Sequence, residues 1–260
     1  MGERGLMSWY DYPQVFDILY DTDTRIEADF IEQIVEKHCS SLGNVILEPA
    51  CGTGRMLREF YRRGYRAIGF DNNPSMVAFA KRFKPRNRKR YNVTPGEMSD
   101  FNYKQGVDAA FCLFGTFRYL LNDTEAKGHL RSIRKSLRKG GIYILGLNLT
   151  DYLSNRFAGE RTVAERKGIR VTCNIKCWKP DARKRLQRFR SRMNVIQDKD
   201  IWQHETTWHF RTYGPIQAKR ALSAVDGLKI VEMYNYDFDI DRTCKLYDAG
   251  LDRIFVLKKI

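Results

Sequence analysis

The chain has 260 residues, of which 43% are hydrophobic and 30% charged, which fits one large globular domain or one domain with an insertion. Its net charge of +15 favours anionic partners, so nucleic acid is one candidate partner. No run reaches the roughly 20 apolar residues of a membrane span, and the spacing of the cysteines excludes a secreted disulfide framework.

The first part of the chain, residues 1–42, is predicted to form a helical cap. Apolar residues recur at helical spacing over residues 11–39, with a break at residues 21–24, which also offer N-cap side chains. The N-terminus lacks the apolar stretch of a signal peptide. We therefore expect a cytoplasmic protein, either a monomer or a homodimer.

Residues 43–150 alternate short apolar runs with helical patterns. Strands are predicted at 45–47, 66–70, 91–94, 107–113 and 142–147, and helices at 53–63, 74–83 and 123–138. Asn73 is a candidate N-cap because Pro74 occupies the first helical position. Strands that alternate with helices in this way predict a parallel sheet covered by helices on both faces.

The remaining chain changes character. Residues 151–212 contain three segments of alternating polar and apolar residues, at 160–178, 186–197 and 201–212, which predict antiparallel strands. Residues 213–260 return to the core pattern, with a predicted helix at 215–224 and strands at 228–233 and 253–257. Cys173 and Cys177 share one strand face; we interpret them as ordinary strand residues, with a partial metal or disulfide site as the alternative, and predict no metal site.

The most informative stretch is residues 48–54, Glu-Pro-Ala-Cys-Gly-Thr-Gly, which joins the first strand to the first core helix. Glycines permit positive φ and allow a ligand to approach the backbone, and a helix start presents free N–H groups. A dinucleotide site would have a third glycine where this chain has Leu57. Asp71 ends the second strand, where an acid can accept hydrogen bonds from two ribose hydroxyls. The pattern therefore favours a nucleoside cofactor other than a nicotinamide dinucleotide.

Several motifs in this order resemble those of the class I S-adenosylmethionine-dependent methyltransferases. Residues 48–54 resemble the first motif of that family, and residues 69–76 resemble the second. Residues 96–101 are similar to the loop on the adenine side, residues 111–120 to the strand-four segment of small-molecule members, and residues 137–141 to the turn before strand five.

The resemblance covers residues 11–150 well and the C-terminal strands loosely, and it points to the sugar-amine N-methyltransferase branch. It implies an α/β fold with a Rossmann-like, seven-stranded, mostly parallel sheet, helices on both faces and an antiparallel β insertion over the active site. It also implies an enzyme that binds S-adenosylmethionine and methylates a small-molecule acceptor by in-line displacement.

The resemblance assigns cofactor contacts residue by residue. Glu48 and Gly52 would approach the amino group and methionine part, and Asp71 would hold the ribose. Tyr20 would reach the cofactor carboxylate or, alternatively, be a core residue, and Cys51 is interpreted as a packing residue of the turn and not as a nucleophile. The adenine would lie among Asn72, Met76, Met98 and Ser99. The complete predicted set is Tyr20, Glu48, Ala50, Cys51, Gly52, Gly54, Asp71, Asn72, Met76, Glu97, Met98, Ser99, Leu113 and Phe114.

The transferred methyl group is expected across the ends of strands four and five, near Leu113, Phe114, Tyr119 and Asn148. The candidate catalytic residues are Tyr119, His209 and Arg211. His209 and Arg211 are two apart and share a strand face, although a structural role is the alternative for His209. Residues 112–115 replace the Asn/Asp-Pro-Pro-Tyr motif of enzymes that methylate nucleobase or glutamine amino groups. This departure argues against those subclasses and leaves small-molecule N-, O- or C-methylation open.

Two other functions stay open. Residues 81–90, 183–185 and 188–190 are basic, which fits an RNA methyltransferase but equally a solvated surface. A non-catalytic module that keeps the cofactor fold is the third possibility. Salt-dependent RNA binding would favour the RNA methyltransferase, and cofactor binding without turnover would favour the non-catalytic module.

Overall fold

The computed structural model describes residues 8–21, 23–41, 43–154 and 159–260, so residues 1–7 of the predicted cap lie outside the described residues. Its α-helices are α1 Pro13–Tyr20, α2 Thr24–His38, α3 Arg55–Arg62, α4 Pro74–Ala80, α5 Asp123–Ser136 and α6 Pro215–Leu222. Its strands are β1 Val45–Pro49, β2 Arg66–Asp71, β3 Tyr91–Pro95, β4 Val107–Cys112, β5 Leu137–Asn148, β6 Glu160–Arg166, β7 Ile169–Cys177, β8 Leu186–Gln197, β9 Asp200–Arg211, β10 Leu228–Tyr234 and β11 Asp252–Lys259. Three short 3₁₀ helices cover Trp9–Asp11, Arg88–Arg90 and Thr116–Tyr119.

Seven strands form the core sheet, in the order β10, β11, β5, β4, β1, β2, β3. Strands β1 to β5 are parallel, and only β11 runs antiparallel to its neighbours β5 and β10. The strand order reverses between β1 and β4, and ligands of such sheets bind beyond the carboxyl ends of the strands at that point. The predicted seven-stranded, mostly parallel sheet is confirmed.

Alternating side chains of the core strands pack on different helices. Ile46 and Ile144 belong to the apolar cluster that contains α2, α3 and α4. Their neighbours Leu47 and Leu145 belong to the cluster that contains α5 and α6. Both faces of the sheet are therefore covered, as predicted, because strands buried on both sides carry continuous apolar runs.

The helix starts follow the local sequence. The Asn73 side chain accepts a hydrogen bond from the backbone N–H of Met76 at 3.0 Å, which confirms the predicted N-cap of α4. The prediction that α5 extends to residue 138 is wrong, because Leu137 already pairs with Val107 of β4. Gly140, with φ of 77°, lies within β5, where the register of the pairing between β4 and β5 shifts. It therefore belongs to the strand and not to a loop that precedes it.

The insertion is a second, four-stranded antiparallel sheet in the order β6, β7, β8, β9, which we call the inserted sheet. The prediction of one strand over residues 160–178 is wrong, because β6 and β7 form a hairpin within it. Lys167 and Gly168 turn the chain with φ of 53° and 75°. Two central residues of positive φ are typical of the tight turns whose twist matches a hairpin.

The inserted sheet packs on residues 8–12, which we call the N-terminal segment, and on α1. Ile18 and Leu19 of α1 share an apolar cluster with Val171 and Met193 of the inserted sheet. The indoles of Trp9 and Trp208 stack with centroids 5.0 Å apart. The N-terminal segment thus joins the inserted sheet to the core.

Asp108 of β4 is a buried carboxylate whose hydrogen bonds join the chain segments at the start of the core sheet. It is 2% exposed and accepts hydrogen bonds from the N–H of Val45 at 2.9 Å, from the Ser41 hydroxyl and from the Arg138 guanidinium. Burial alone would raise the pKa of Asp108, but the hydrogen bonds from Ser41, Arg138 and Val45 outweigh burial and hold that pKa below its usual value. We expect Asp108→Ala to lower the free energy of unfolding by roughly 1.5–3 kcal/mol in urea denaturation.

The pH dependence gives this prediction its sign. Because the pKa of Asp108 is lower in the folded state, its stabilisation is present above the pKa of the unfolded chain and is lost as pH falls through the folded value. Asp226→Ala removes an exposed carboxylate and serves as the control. Equal stability of the Asp108 and Asp226 variants would contradict the role of Asp108.

Candidate cofactor and acceptor site

The space beyond the carboxyl ends of β1, β2 and β4, which we call the crevice, is bordered by strained backbone. Ala50 follows β1 with φ of 53°, and Phe114 follows β4 with φ of 56°. A left-handed conformation costs a residue with a side chain about 1–2 kcal/mol. Such strain concentrates where a structure holds a ligand. These two turns are therefore the first structural indication of a binding site.

Gly52 and Gly54, the two glycines of the turn that follows β1, have different structural roles. A Cβ atom at Gly52, where φ is 53°, would meet nothing within 4 Å, so this residue borders open space. A Cβ atom at Gly54 would lie 2.8 Å from the hydroxyl of Tyr91 and 3.2 Å from Cβ of Ala80. Gly52 leaves room for a ligand, whereas Gly54 allows the turn to pack on α4 and β3. The predicted contact of Gly54 with the cofactor stays a prediction.

Asp71 links the turns that follow β1 and β2. Its Oδ2 accepts a hydrogen bond from the N–H of Gly52 at 2.8 Å, and its Oδ1 accepts one from the N–H of Asn73 at 2.9 Å. Burial raises the pKa of Asp71 above its usual value, although the two backbone N–H groups lower it. Each carboxylate oxygen has a further lone pair, so Asp71 can also accept hydrogen bonds from a diol.

Glu48 carries an unsatisfied carboxyl oxygen at the end of β1. Its Oε2 is shielded from solvent and has no hydrogen-bond partner among the described residues. Burial raises the pKa of Glu48 well above its usual value, and the neighbouring Arg55 only partly opposes this rise. Arg55 itself forms an ion pair with Glu27 at 2.8 Å. A carboxyl oxygen that is shielded from solvent and has no partner is a suitable receptor for a ligand ammonium group.

The residues predicted around adenine differ in exposure. Asn72 and Glu97 are exposed, and the Nδ2 of Asn72 lies 3.4 Å from Oε2 of Glu97. Ser99 is half-buried, and Met98 is 9% exposed. Met76, in the first turn of α4, is 0% exposed in this structure, and its predicted place beside adenine stays a prediction.

The N-terminal segment reaches the crevice, a contact that is not predicted from the sequence. Ser8 and Asp11 form a capping box that starts the first 3₁₀ helix. Asp11 accepts a hydrogen bond from the Asn73 side chain at 2.9 Å, and the hydroxyl groups of Tyr10 and Tyr119 are 2.5 Å apart. Burial raises the pKa of Tyr10 to about 12. The Ser-x-x-Asp pattern, whose two middle residues are aromatic, is the signal that predicts such an ordered segment.

Tyr119 and Tyr20 lie in an aromatic layer between the crevice and the inserted sheet. The Tyr119 ring meets the edge of Phe210 of β9 at 4.6 Å. Tyr20 packs on Phe16 at 4.5 Å and on Trp9 at 6.4 Å, and burial raises its pKa. Tyr20 is half-buried among these aromatic residues, and both alternatives for it, a core role and contact with the cofactor, stay predictions.

The structure does not bring His209 or Arg211 to the crevice. The even-numbered residues of β9 face the N-terminal segment, and His209 lies among the exposed odd-numbered ones. Arg211 shares that parity but is buried, where it pairs with Asp123 at 2.6 Å and donates to the carbonyl of Leu121 at 2.7 Å. Neither side chain therefore borders the crevice in this structure, and a catalytic role of His209 or Arg211 stays a prediction.

The end of β4 supplies the other side of the crevice. Leu113 is buried, whereas the Phe114 ring is 46% exposed and lies 5.4 Å from the guanidinium of Arg55. Asn148, at the end of β5, donates to Asp252 at 2.7 Å. The thiol of Cys51 is buried, which raises its pKa well above the usual value, in keeping with a packing role.

Metal ligands do not converge in the described parts of the chain. Within residues 8–21, 23–41, 43–154 and 159–260 there is no group of three or more His, Cys, Asp or Glu side chains placed to bind an ion. Cys173 and Cys177 both lie on β7, and neither forms a disulfide bond with a described residue. No helix in the same ranges combines the length and apolar character that a bilayer crossing requires.

The core of the chain is similar in sequence to known methyltransferases. Residues 46–141 match the family model described as a methyltransferase domain. The dTDP-3-amino-3,4,6-trideoxy-alpha-D-glucopyranose N,N-dimethyltransferase of Streptomyces venezuelae is 25% identical over 138 residues, which cover 52% of this chain and 56% of that protein. The glycine/sarcosine N-methyltransferase of Parasynechococcus marenigrum is 27% identical over 176 residues, which cover 65% of this chain and 57% of that protein. The chain thus spans little more than half the length of these curated relatives.

The fold itself has solved counterparts. The crystal structure of Streptomyces venezuelae DesVI superposes with a TM-score of 0.78 and 18% identity, and the superposition covers 98% of this chain and 100% of that one. At this identity the likeness shows the fold. The mostly parallel core sheet and the antiparallel inserted sheet thus form a known architecture.

Proposed function

We propose that this chain, whose core is a class I methyltransferase domain, is an S-adenosylmethionine-dependent methyltransferase that acts on a small-molecule amine. One combination of features carries the proposal: open space over Gly52, the buried carboxylate of Asp71 that accepts from the Gly52 N–H, and the unpartnered Oε2 of Glu48 at the start of the same turn. These groups match a cationic amino group and a ribose diol. The relatives named above, which act on amino sugars or on glycine, support an amine as the acceptor.

The chain's residues would hold the cofactor by three kinds of contact. Glu48 would bind the ammonium group, Gly52 would present bare backbone, and Asp71 would accept hydrogen bonds from the ribose. Asn72 and Glu97 are exposed beyond β2 and β3 and would border the adenine. When bound, the cofactor supplies a methyl group on a sulfonium centre, which is already an activated leaving group. The protein therefore has mainly to orient the acceptor and exclude water.

The hydroxyl pair of Tyr10 and Tyr119 is the polar group that we place beside the acceptor amine. Because the pKa of Tyr10 is raised to about 12, this phenol stays protonated at neutral pH. It can donate or accept a hydrogen bond, but it is a poor acceptor of a full proton. We propose that an amine enters the crevice uncharged and that the two hydroxyl groups orient its lone pair of electrons. The N-terminal segment would cover the bound amine.

Three arginines of the basic segments have contacts within the protein and give RNA no specific support as the acceptor. Arg188 and Arg190 lie on the outer face of the inserted sheet, where their guanidinium groups approach the ring of Trp178 at 4.6 and 5.8 Å. Arg90, at the end of residues 81–90, donates to the backbone carbonyl of Tyr61 at 3.0 Å. These cations point away from the crevice or fix the local fold, so we keep the small-molecule acceptor.

Three features of the proposal stay predictions from the sequence. The first is the division into a cap (1–42), a cofactor-binding core (43–150), an insertion (151–212) and a C-terminal part of the core (213–260). The second is a cytoplasmic location. The third is the oligomeric state, monomer or homodimer, which sedimentation would determine.

Titration calorimetry with S-adenosylmethionine tests the proposed function. We expect Asp71→Ala to weaken binding by roughly 1.5–3 kcal/mol, because charge-assisted hydrogen bonds to the ribose are lost. This corresponds to about a 10- to 150-fold rise in Kd. Asp226→Ala, which changes an exposed carboxylate, should bind as the natural chain does. Wild-type protein that binds NAD in preference to S-adenosylmethionine would contradict the proposal.

A further inference from the structure

Asp17 of α1 is a buried carboxylate that joins three parts of the fold. It is 3% exposed. Its Oδ1 accepts a hydrogen bond from Nη2 of Arg58 at 2.7 Å, and its Oδ2 accepts one from Nη2 of Arg166 at 2.6 Å. Arg58 lies on α3 of the core, whereas Arg166 ends β6 of the inserted sheet. Burial of this charge is tolerated because each oxygen has a cationic partner.

Arg58 also holds the turn that follows β1, residues 50–54, which we call the cofactor turn. Its Nη1 donates to the backbone carbonyl of Thr53 at 2.6 Å. Side chains of a helix point toward its N-terminus, so Arg58, in the first turn of α3, reaches back to this carbonyl. Thr53 is 3% exposed and lies between Gly52 and Gly54, whose φ angles are 53° and 71°. One guanidinium group thus joins the backbone of the cofactor turn to α1.

The charge on Asp17 keeps Arg58 in this orientation. Burial alone would raise the pKa of Asp17, but the charge of Arg58 and hydrogen bonds that include one from Arg166 outweigh burial and hold that pKa below its usual value. Asp17 is therefore ionised at neutral pH. A guanidinium group carries its donors in a planar fork, so a carboxylate that accepts from one nitrogen fixes the direction of the other. Asp17 thereby aims Nη1 of Arg58 at the Thr53 carbonyl.

Asp71 holds the neighbouring residue of the cofactor turn. Its Oδ2 accepts a hydrogen bond from the N–H of Gly52 at 2.8 Å. Asp71 and Arg58 therefore hold two consecutive residues, Gly52 and Thr53, from different sides. Because a peptide bond joins these two residues, a change in the orientation of Thr53 is transmitted to Gly52, which borders the open space of the crevice.

We propose that Arg58 is a positioning residue for the cofactor, which acts by fixing the Thr53 carbonyl, and that Asp17 anchors it. The inference rests on the proposed function, since it concerns the same cofactor. Arg58 acts on the backbone against which the ligand lies and not on the ligand itself. Binding sites depend on supporting contacts of this kind, because a displaced backbone no longer matches its ligand.

Titration calorimetry with S-adenosylhomocysteine tests this assignment, with each variant kept well below its Tm. Arg58→Met should raise Kd by at least about 10-fold, because the buried Thr53 carbonyl loses its donor. The variant should still fold, since Asp17 keeps Arg166 as a cationic partner. Arg58→Lys retains a cation that can donate to both acceptors. Its Kd should therefore lie closer to that of the wild type than to that of Arg58→Met.

Two other arginines provide matched controls. Arg62→Met changes the same helix one turn later, where the side chain is 60% exposed and pairs with Glu59. Arg166→Met removes the other cation from Asp17 but does not touch the cofactor turn. Both should bind S-adenosylhomocysteine as the wild type does, although Arg166→Met should lower the Tm. If folded Arg58→Met bound as tightly as Arg62→Met, or if Arg166→Met lost as much affinity as Arg58→Met, the proposal would be overturned.

Asp17→Asn tests the anchor and serves as a second route if Arg58→Met does not fold. The substitution keeps the volume but removes the charge that aims Arg58, so Kd should rise by about 3-fold or more. In the double variant, Kd should equal that of Arg58→Met alone, because two residues that act through one contact are not additive. Additive losses, or an Asp17→Asn variant that binds as the wild type does, would contradict the anchoring role.

The two proposals can fail separately. A wild type that does not bind S-adenosylhomocysteine would reject the proposed function and, with it, the cofactor that Arg58 positions. A wild type that binds normally, together with unchanged affinity in Arg58→Met and Asp17→Asn, would reject only the positioning role.

Discussion

Replacement of Gly52 by asparagine is expected to abolish binding of S-adenosylmethionine while the fold persists. A side chain at this position enters open space, because no atom lies within 4 Å of the Cβ site. Asparagine is chosen because it tolerates the left-handed conformation, and φ at Gly52 is 53°. The block should be steric and should raise Kd by at least about 100-fold, or ~2.7 kcal/mol.

Two other glycines provide controls for this experiment. Gly168, in the β6–β7 turn, has φ of 75° and also nothing within 4 Å of its Cβ site, so Gly168→Asn matches the change away from the crevice. It should bind the cofactor normally. Gly54→Ala should instead lower the Tm, because its Cβ would lie 2.8 Å from the Tyr91 hydroxyl. If folded Gly52→Asn bound as tightly as Gly168→Asn, the cofactor would not lie over this turn.

The core sheet was predictable because its signals are local. Each parallel strand is a short apolar run, and residues such as Gly64 and Pro74 separate it from the next element. The hairpin inside residues 160–178 was not predicted. Gly168 and Asn174 are both turn-favouring residues in that alternating stretch, and strand alternation alone does not show where a chain reverses. The pairing of β7 with β8 determines where the chain reverses.

The cofactor side of the site was predictable for the same reason, since residues 48–54 are contiguous and Asp71 directly ends a strand. The acceptor side was not, because it depends on contacts between distant residues. The hydroxyl pair joins Tyr10 to Tyr119 across 109 positions. Strand alternation gives His209 and Arg211 the same parity, but parity alone does not show which side of the sheet packs on the core. The aromatic residues at 208 and 210 indicate which face is buried, because large aromatic side chains prefer the packed side of a sheet.

Glu48→Ala is expected to weaken cofactor binding by roughly 2–5 kcal/mol, the usual cost of removing one partner of a buried charge pair. The reason is that Oε2 of Glu48 has no partner within the described residues, so a ligand ammonium group would be its first. Calorimetry with S-adenosylhomocysteine measures the loss. Glu165→Ala, which removes an exposed carboxylate on β6, is the control and should leave the affinity unchanged.

The protonation of Glu48 adds a pH dependence whose sign is fixed. Because burial raises the pKa of Glu48 in the free protein, the carboxyl group is neutral below that pKa and attracts an ammonium group only above it. Wild-type affinity should therefore increase as pH rises through this pKa, with release of a proton on binding. Glu48→Gln should bind weakly at every pH, with a flatter profile. Equal pH profiles for the wild type and this variant would rule out Glu48 as the ammonium receptor.

The same raised pKa makes Glu48 a source of instability in the ligand-free protein. A carboxyl group whose folded pKa lies above its unfolded pKa stabilises the fold only at low pH, and this contribution disappears as pH rises through the folded value. Ligand-free Glu48→Gln should therefore be more stable than the wild type in urea above that pKa, while it binds the cofactor less tightly. This opposition of stability and binding is expected of a residue kept for its ligand. A purely structural Glu48 would lose both together.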